Sequence, residues 1–168
     1  SGDRAHWFDF SSVTTPGIYY VLDVEAGVRS DTFRVASDVY REVLRHAVRT
    51  FFYQRAGFPK EAPYADADWV DGASHVGPLQ DKEARLFSAP DDASTSRDLS
   101  GGWYDAGDYN KYIVNSGIST YTLLAAYEHF PGFYQGRNIN IPESTNDVPD
   151  LLDEILWNLD WMEKMQDE

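Results

Sequence analysis

Two aspartates with one glycine between them stand in the most chemically suggestive stretch of this chain. Gly101-Gly102-Trp103-Tyr104-Asp105-Ala106-Gly107-Asp108-Tyr109-Asn110-Lys111-Tyr112 places Asp105 and Asp108 three residues apart among four aromatics and an asparagine. Such a pair could grip and deprotonate a water molecule beside a flat ligand. Inverting hydrolysis of a glycosidic bond needs two carboxyl groups about 6.5–9.5 Å apart, one on each side of the sugar. Asp105 and Asp108 are too close in sequence to be assumed to straddle a ring. Their spacing instead suits joint action on one side, with one aspartate as base and the other orienting the water. Trp103, Tyr104 and Tyr109 are candidates for sugar contact, and Gly107 for a sharp turn between the acids. Neighbouring carboxylates should raise one pKa unless donors stabilise both. Two other readings of the motif stay open. It can be a plain turn with Asp105 capping the next helix, or a calcium loop, although the spacing of the EF-hand is absent.

The elements that must carry this loop can be read from periodicity. Val39, Val43, Ala47 and Phe51, beside Tyr40, Leu44, Val48 and Phe52, make a wide apolar face. The spacing predicts a helix capped by Ser37 or Asp38 and stopped by Gly57 and Pro59, with Arg41, Glu42, Arg45 and Arg49 on its polar side. A second helix is expected over about 116–130, with Ile118, Tyr121, Leu124, Ala125 and Tyr127 as its stripe, ended by Pro131-Gly132. A third begins near Pro149 with Asp147 as cap and runs to the last residue, with Leu151, Leu152, Ile155, Leu156, Leu159 and Met162 inward. Before these, residues 1–35 read as strands: an aromatic one at Trp7–Phe10, then a hairpin from Ile18–Val24 and Val28–Val35. The roughly 55 residues between the first two helices have no period, which marks a functional loop or a misassigned segment.

Composition narrows the partners. The 168 residues carry 28 acidic and 14 basic side chains, a net charge of −14. That disfavours nucleic acid and is compatible with a neutral polymer. The chain has no cysteine, so disulfides and thiolate metal sites are excluded. No run of about 18 apolar residues is present to span a membrane.

Together these segments resemble glycoside hydrolase family 9, the inverting β-glycanases typified by cellulases. The dodecapeptide 101–112 resembles the family's N-terminal signature. Thr50–Arg55, Ser116–Tyr121, and Ile141–Ser144 with Val148–Ile155 resemble three further segments in the same order. The resemblance covers about residues 36–168. It implies a mainly α fold, the first part of an (α/α)6 barrel over 36–168. It further implies that residues 1–35 are the closing strands of an immunoglobulin-like β domain. The implied activity is hydrolysis of β-1,4-glucan, endoglucanase-like, with an exo-acting glucosidase, cellobiohydrolase or glucosaminidase as alternative. A non-catalytic carbohydrate-binding module is the reading from another class. By resemblance Asp108 is the general base and Asp105 helps hold the water, and the general acid lies downstream of these residues. No cofactor is implied for the chemistry, and structural calcium belongs mostly outside this stretch. Zinc is disfavoured, because Ala56 and Ser74 stand where zinc-bearing relatives have cysteine. His75 is left as a loop or cleft residue, and it joins Trp103, Tyr104 and Tyr109 as a candidate for substrate binding. The implied partners are a β-glucan or oligosaccharide and the remaining C-terminal part of the polypeptide, with no nucleic acid or membrane, in a secreted or periplasmic setting. These 168 residues alone are expected to be neither stable nor active.

Four further expectations concern single residues. His46, between the apolar ridges of the first helix, is expected to be a packed or boundary residue, and His129 to sit at a helix C-terminus. Trp157 and Trp161 are expected in the core. Glu143, Asp153 and Glu154 are explained by capping and solvation.

Overall fold

In the computed structural model, residue 2 and residues 5–166 are described. The chain divides into two compact units, Ser1–Leu44 and Arg45–Glu168.

The first unit is a nested hairpin. β1 (Gly17–Tyr19) pairs antiparallel with β4 (Phe33–Val35), and β2 (Leu22–Asp23) with β3 (Val28–Arg29). Its turn is closed by the Asp23 carboxylate, which accepts the Ala26 amide, and by Gly27 at φ +65°. A left-handed residue there favours glycine. The expected hairpin is therefore present with shorter strands. Trp7–Phe10 is not a strand. It has no ladder partner, and instead Phe10 lays its ring 5.0 Å from Phe33.

Four helices follow: α1 (Arg41–Gln54), α2 (Ile113–His129), α3 (Pro131–Tyr134) and α4 (Asp150–Lys164). α1 starts later than its apolar spacing suggests, because residues 37–40 form a turn. Asp38 contributes its carbonyl to the Arg41 amide and its carboxylate to Arg34, 3.0 Å away. The helix stops at Gln54, short of Gly57, because the chain then turns to pair with the glycine–aromatic motif. Arg49 corrects the polar-face assignment. It is only 3% exposed, and its guanidinium donates to the carbonyls of Ile139, Asn140 and Tyr64 and to the Tyr53 hydroxyl. One buried arginine thus satisfies backbone acceptors of two loops.

α2 also turns differently from its apolar stripe. Its buried residues are Ser116 and Thr120, whereas Ile118, Tyr121 and Leu124 are exposed. The side facing α4 is selected by hydrogen bonds. Ser116 donates to Asn158 Oδ1 at 2.8 Å, and Asn158 Nδ2 donates to Thr120 at 2.9 Å. Asn158 is fully buried, so leaving either end unpaired would be costly. Pro131 opens the short α3 at its first turn, a position proline suits, where a plain stop was expected.

α4 buries Leu151, Ile155 and Trp161, while Leu156 and Leu159 of the expected stripe are exposed. It ends at Lys164, before the last residues. Asp147 makes no cap, since Pro149 occupies that position. Asp150 instead turns inward to accept from the Ile139 amide and the Ser144 hydroxyl.

Residues 57–100 hold three single 3₁₀ turns and the isolated antiparallel bridges Lys60–Asp71 and Ala84–Arg97. The lack of periodicity is thus genuine, and backbone pairing at a few points gives the loop its course.

Candidate functional site

The glycine–aromatic motif has a buried half and an exposed half. In the buried half, residues 102–104 run beside the end of α1. The Ala56 amide donates to the Gly102 carbonyl and the Tyr104 amide to the Gln54 carbonyl, both at 2.8 Å. Trp157 Nε1 adds a second donor to Gly102 at 3.0 Å. Gly102 sits at φ +77°, and a Cβ there would lie 2.5 Å from the Trp161 ring. Glycine is required both by the conformation and by the approach of that indole. Trp157 and Trp161 are therefore packing residues, as expected.

Trp103 and Tyr104 are only 4% and 6% exposed. Trp103 lies 4.7 Å from the Phe51 ring and donates its indole N–H to Glu154 Oε1 at 2.9 Å. The Tyr104 hydroxyl is hydrogen-bonded to Ser74, and its ring carries Lys60 Nζ 5.0 Å from its centre. Burial holds the Lys60 ammonium below its ordinary pKa, partly opposed by Asp71. Both aromatics line a shared hollow yet are almost wholly buried. Neither offers a free face for stacking.

The exposed half, 105–110, is a tight turn. The Asp105 amide donates to the Asn110 carbonyl at 2.8 Å, and the Tyr109 amide to the Ala106 carbonyl at 3.2 Å. The left-handed residue is Tyr109, at φ +57°. Gly107 was the expected site of that strain but does not carry it. A tyrosine held in this region is uncommon and persists where surrounding bonds over-determine it. Its ring is 53% exposed and meets Tyr104 edge-on at 5.0 Å.

Asp105 and Asp108 are both exposed. Asp105 accepts from Asn115 Nδ2 at 2.8 Å, the first turn of α2 thereby orienting the carboxylate. Tyr112, not Asp105, takes the N-cap position of that helix. Asp108 accepts from the Asn110 amide at 3.1 Å, Asn110 Nδ2 at 3.3 Å and the Tyr112 hydroxyl at 3.1 Å. These donors stabilise the charged form and hold Asp108 below the usual carboxylate range, the Asn110 amide contributing most. Asp108 is thus ionised at neutral pH and keeps lone pairs free toward solvent. The rise expected for one of two neighbouring carboxylates is not found at Asp108, where burial alone pushes upward and the donors outweigh it.

Two hollows flank the motif. One, of about 220 Å³, is lined by Phe51, Trp103, Tyr104, Asp105, Tyr112 and Asn115, among others. The second, of about 210 Å³, includes His75, Asp81, Tyr109, Asn110 and Lys111. His75 joins the site through Tyr104, 5.8 Å ring to ring, and its Nδ1 is 2.8 Å from the Ser74 hydroxyl. Lys111 ties the motif to the long loop. Its ammonium donates to Asp81 at 2.5 Å and to the Leu99 and Gly101 carbonyls. Burial lowers its pKa, opposed by Asp81.

Behind the motif lies a charge cluster that the sequence did not reveal. Arg55 is fully buried. Its Nη1 and Nη2 fork onto the Glu143 carboxylate at 3.0 Å each, while Nε and Nη2 hold Glu154 at 3.0–3.2 Å. Trp157 covers the guanidinium at 4.6 Å. Glu154, expected at the surface, is fully buried. Burial pushes its carboxyl upward, opposed by Arg55 and by the Trp103 indole. Asp153 is buried as well, and desolvation raises its pKa. Capping and solvation explain none of this, because Glu154 lies on the inner face of α4. His46 is exposed, not packed, whereas His129 does end α2.

Among the described residues, no group of three or more His, Cys, Asp and Glu is arranged to hold a metal ion. No helix among them is long and apolar enough to cross a membrane.

The chain is similar to several known proteins. A xyloglucan-specific endo-beta-1,4-glucanase of Bacteroides ovatus is 45% identical over 95% of this chain and 26% of its own length. A cellulose 1,4-beta-cellobiosidase of Acetivibrio thermocellus is 36% identical over 99% of the chain and 21% of its own length. The solved structure of a Bacteroides ovatus GH9 protein superposes with a TM-score of 0.80 at 40% identity, covering 95% of this chain and 28% of that one. A metagenome-derived family 9 endoglucanase does so at 0.75 and 36%, with 95% and 28% covered. The chain thus spans about a quarter of the length of these relatives. The profile of Glycosyl hydrolase family 9 matches residues 40–168, and the chain belongs to that family.

Proposed function

We propose that this chain is the N-terminal part of the catalytic domain of an inverting glycoside hydrolase that cleaves β-1,4-glucan chains internally. The observation that carries this reading is the pair Asp105 and Asp108. Both are exposed on one short turn, and each carboxylate is aimed by its own donors. Asp108 is the base. Its low pKa keeps it ionised, with oxygen lone pairs free to take a proton from water. Asp105, fixed by Asn115, holds the second hydrogen of that water. The water oxygen attacks the anomeric carbon as the bond to the leaving oxygen breaks. Asp108 receives the water's proton, and a carboxylic acid on the opposite face supplies one to the leaving group, so the product is inverted. That acid comes from outside these 168 residues. Tyr109, as the exposed ring, stacks on the sugar, and Trp103, Tyr104 and His75 hold the wall behind it. The chemistry requires no metal or cofactor.

The remaining expectations extend this proposal. Residues 36–168 form the first part of an (α/α)6 barrel, and residues 1–35 close an immunoglobulin-like domain. The setting is secreted or periplasmic, and the partners are the glucan and the rest of the polypeptide. The names of the relatives support both internal cleavage and cellobiose release, since endoglucanases and a cellobiosidase are among them. Product analysis over time on end-labelled oligosaccharides separates the two.

The decisive test is Asp108→Asn in the full-length protein. Turnover should fall by about 10²–10⁴-fold, the range for loss of a general base, with oligosaccharide binding retained. Unchanged turnover rejects Asp108 as the base.

A further inference from the structure

We infer that Glu154, gripped by Arg55, is a positioning residue that sets the aim of Asp105 by clamping Trp103. This inference rests on the reading of the 105–108 turn given above. The path is continuous. Glu154 Oε1 accepts the Trp103 indole N–H at 2.9 Å, and Trp103 pairs across the backbone with Arg55, whose guanidinium grips the same Glu154. The Gly102 carbonyl and Tyr104 amide on either side of Trp103 are bonded to Ala56 and Gln54. Asp105 is the next residue, and it leaves this clamp for the exposed turn.

Each joint of the clamp comes from a different part of the chain. Arg55 directly follows α1, Glu143 belongs to the loop before α4, and Glu154 lies within α4. Stacked under Trp157 and flanked by Phe52 and Phe58, the guanidinium has no water to relax into. A bidentate fork between planar groups adds geometric specificity that a single hydrogen bond lacks. A core that needed only filling would be served by apolar residues, which cost less to bury. What the charged fork adds is a single rotation for Trp103, hence a single register for residues 102–105. Catalytic turns lose much of their rate when displaced by about 1 Å.

The test uses the full-length protein and a β-1,4-linked glucose hexamer. It compares Glu154→Gln, Trp103→Phe, the double variant, and Thr120→Val as a destabilising control outside the clamp. Glu154→Gln should lower kcat on the order of 10²-fold, leave KM within about threefold, and speed hydrogen exchange at the Tyr104 and Asp105 amides. The double variant should be no worse than the poorer single, because the two residues act as one unit. Thr120→Val should lower the melting temperature and leave kcat and that exchange unchanged. The inference is overturned if kcat is unchanged in Glu154→Gln, if the two losses multiply, or if Thr120→Val reproduces them. Where Glu154→Gln does not fold, Trp103→Phe must itself show the kcat loss and the faster exchange. If the wild-type protein hydrolyses no glucan, the functional reading fails. Exchange alone then decides, and unaltered Tyr104 and Asp105 amides in Glu154→Gln overturn the clamp.

Discussion

The two halves of the glycine–aromatic motif obey opposite rules. Residues 102–104 are buried, their backbone groups paired with α1 and their side chains bonded to α4 and the long loop. Residues 105–110 are exposed and held mainly by bonds within their own turn and to the start of α2. Chemistry on a polymer needs the second kind of surface, since carboxylates must meet water and sugar. Precision needs the first kind. An exposed turn keeps its shape only if the chain entering it is immovable, and here a buried ion cluster and two indoles provide that. The same division appears on a larger scale. The long loop 57–100 has little regular structure, yet Lys111 fastens it to the motif through Asp81 and the Leu99 carbonyl.

Breaking the buried half should cost most. Arg55→Met strands Glu154 inside the protein and should destabilise it by about 3–5 kcal/mol, the scale for removing one partner of a buried pair. Denaturant unfolding of the full-length protein measures this. Arg55→Met with Glu154→Leu should recover much of the loss, because Glu143 is 34% exposed and can turn to water. A recovery no better than the single variant would mean that the fork is ordinary packing.

Gly102→Ala tests the same half more gently. The new methyl must displace the Trp161 ring and sit at a positive φ, which costs about 1–3 kcal/mol. Thermal unfolding should show the loss, and kcat should fall with it. A neutral outcome would show that 102–104 tolerates movement, against its role as the rigid partner.

The exposed half should respond in pH dependence, with little change in stability. Tyr112→Phe removes a donor that favours ionised Asp108, so the pKa of that group must rise. The acid limb of kcat/KM, where Asp108 becomes protonated, should therefore move to higher pH by a fraction of a unit to about one unit. The wild-type limb should lie below the usual carboxylate range. A limb that stays in place would detach Asp108 from the rate.

Much of the helical framework was legible because apolar spacing reports which face is buried. α4 was found through Leu151 and Ile155, and α1 through Val48 and Phe52. The same logic misassigned Arg49 and the stripe of α2. Periodicity counts apolar groups, whereas these faces were chosen by polar groups that found buried partners, Arg49 with loop carbonyls and Ser116 and Thr120 with Asn158. In the site, Asn110 and Tyr112 sat inside the motif and could have been read as donors to Asp108 from their nearness alone. Asn115 lies ten residues from Asp105 and needed the helix to bring it round. Glu154 lies 99 residues from Arg55 and 51 from Trp103, a pairing no local pattern encodes.

By itself the sequence determined the candidate acids, the family, and the existence of the three longer helices, because those depend on residue type and short spacing. The tertiary structure decided which acid is free and which is spent. Asp108 and Glu154 are both carboxylates on this chain. Exposure with local donors leaves the first ionised and open to water, and burial against Arg55 and Trp103 commits the second to holding the motif in place. Solvation and partner geometry make that difference, and both depend on residues far apart in the chain.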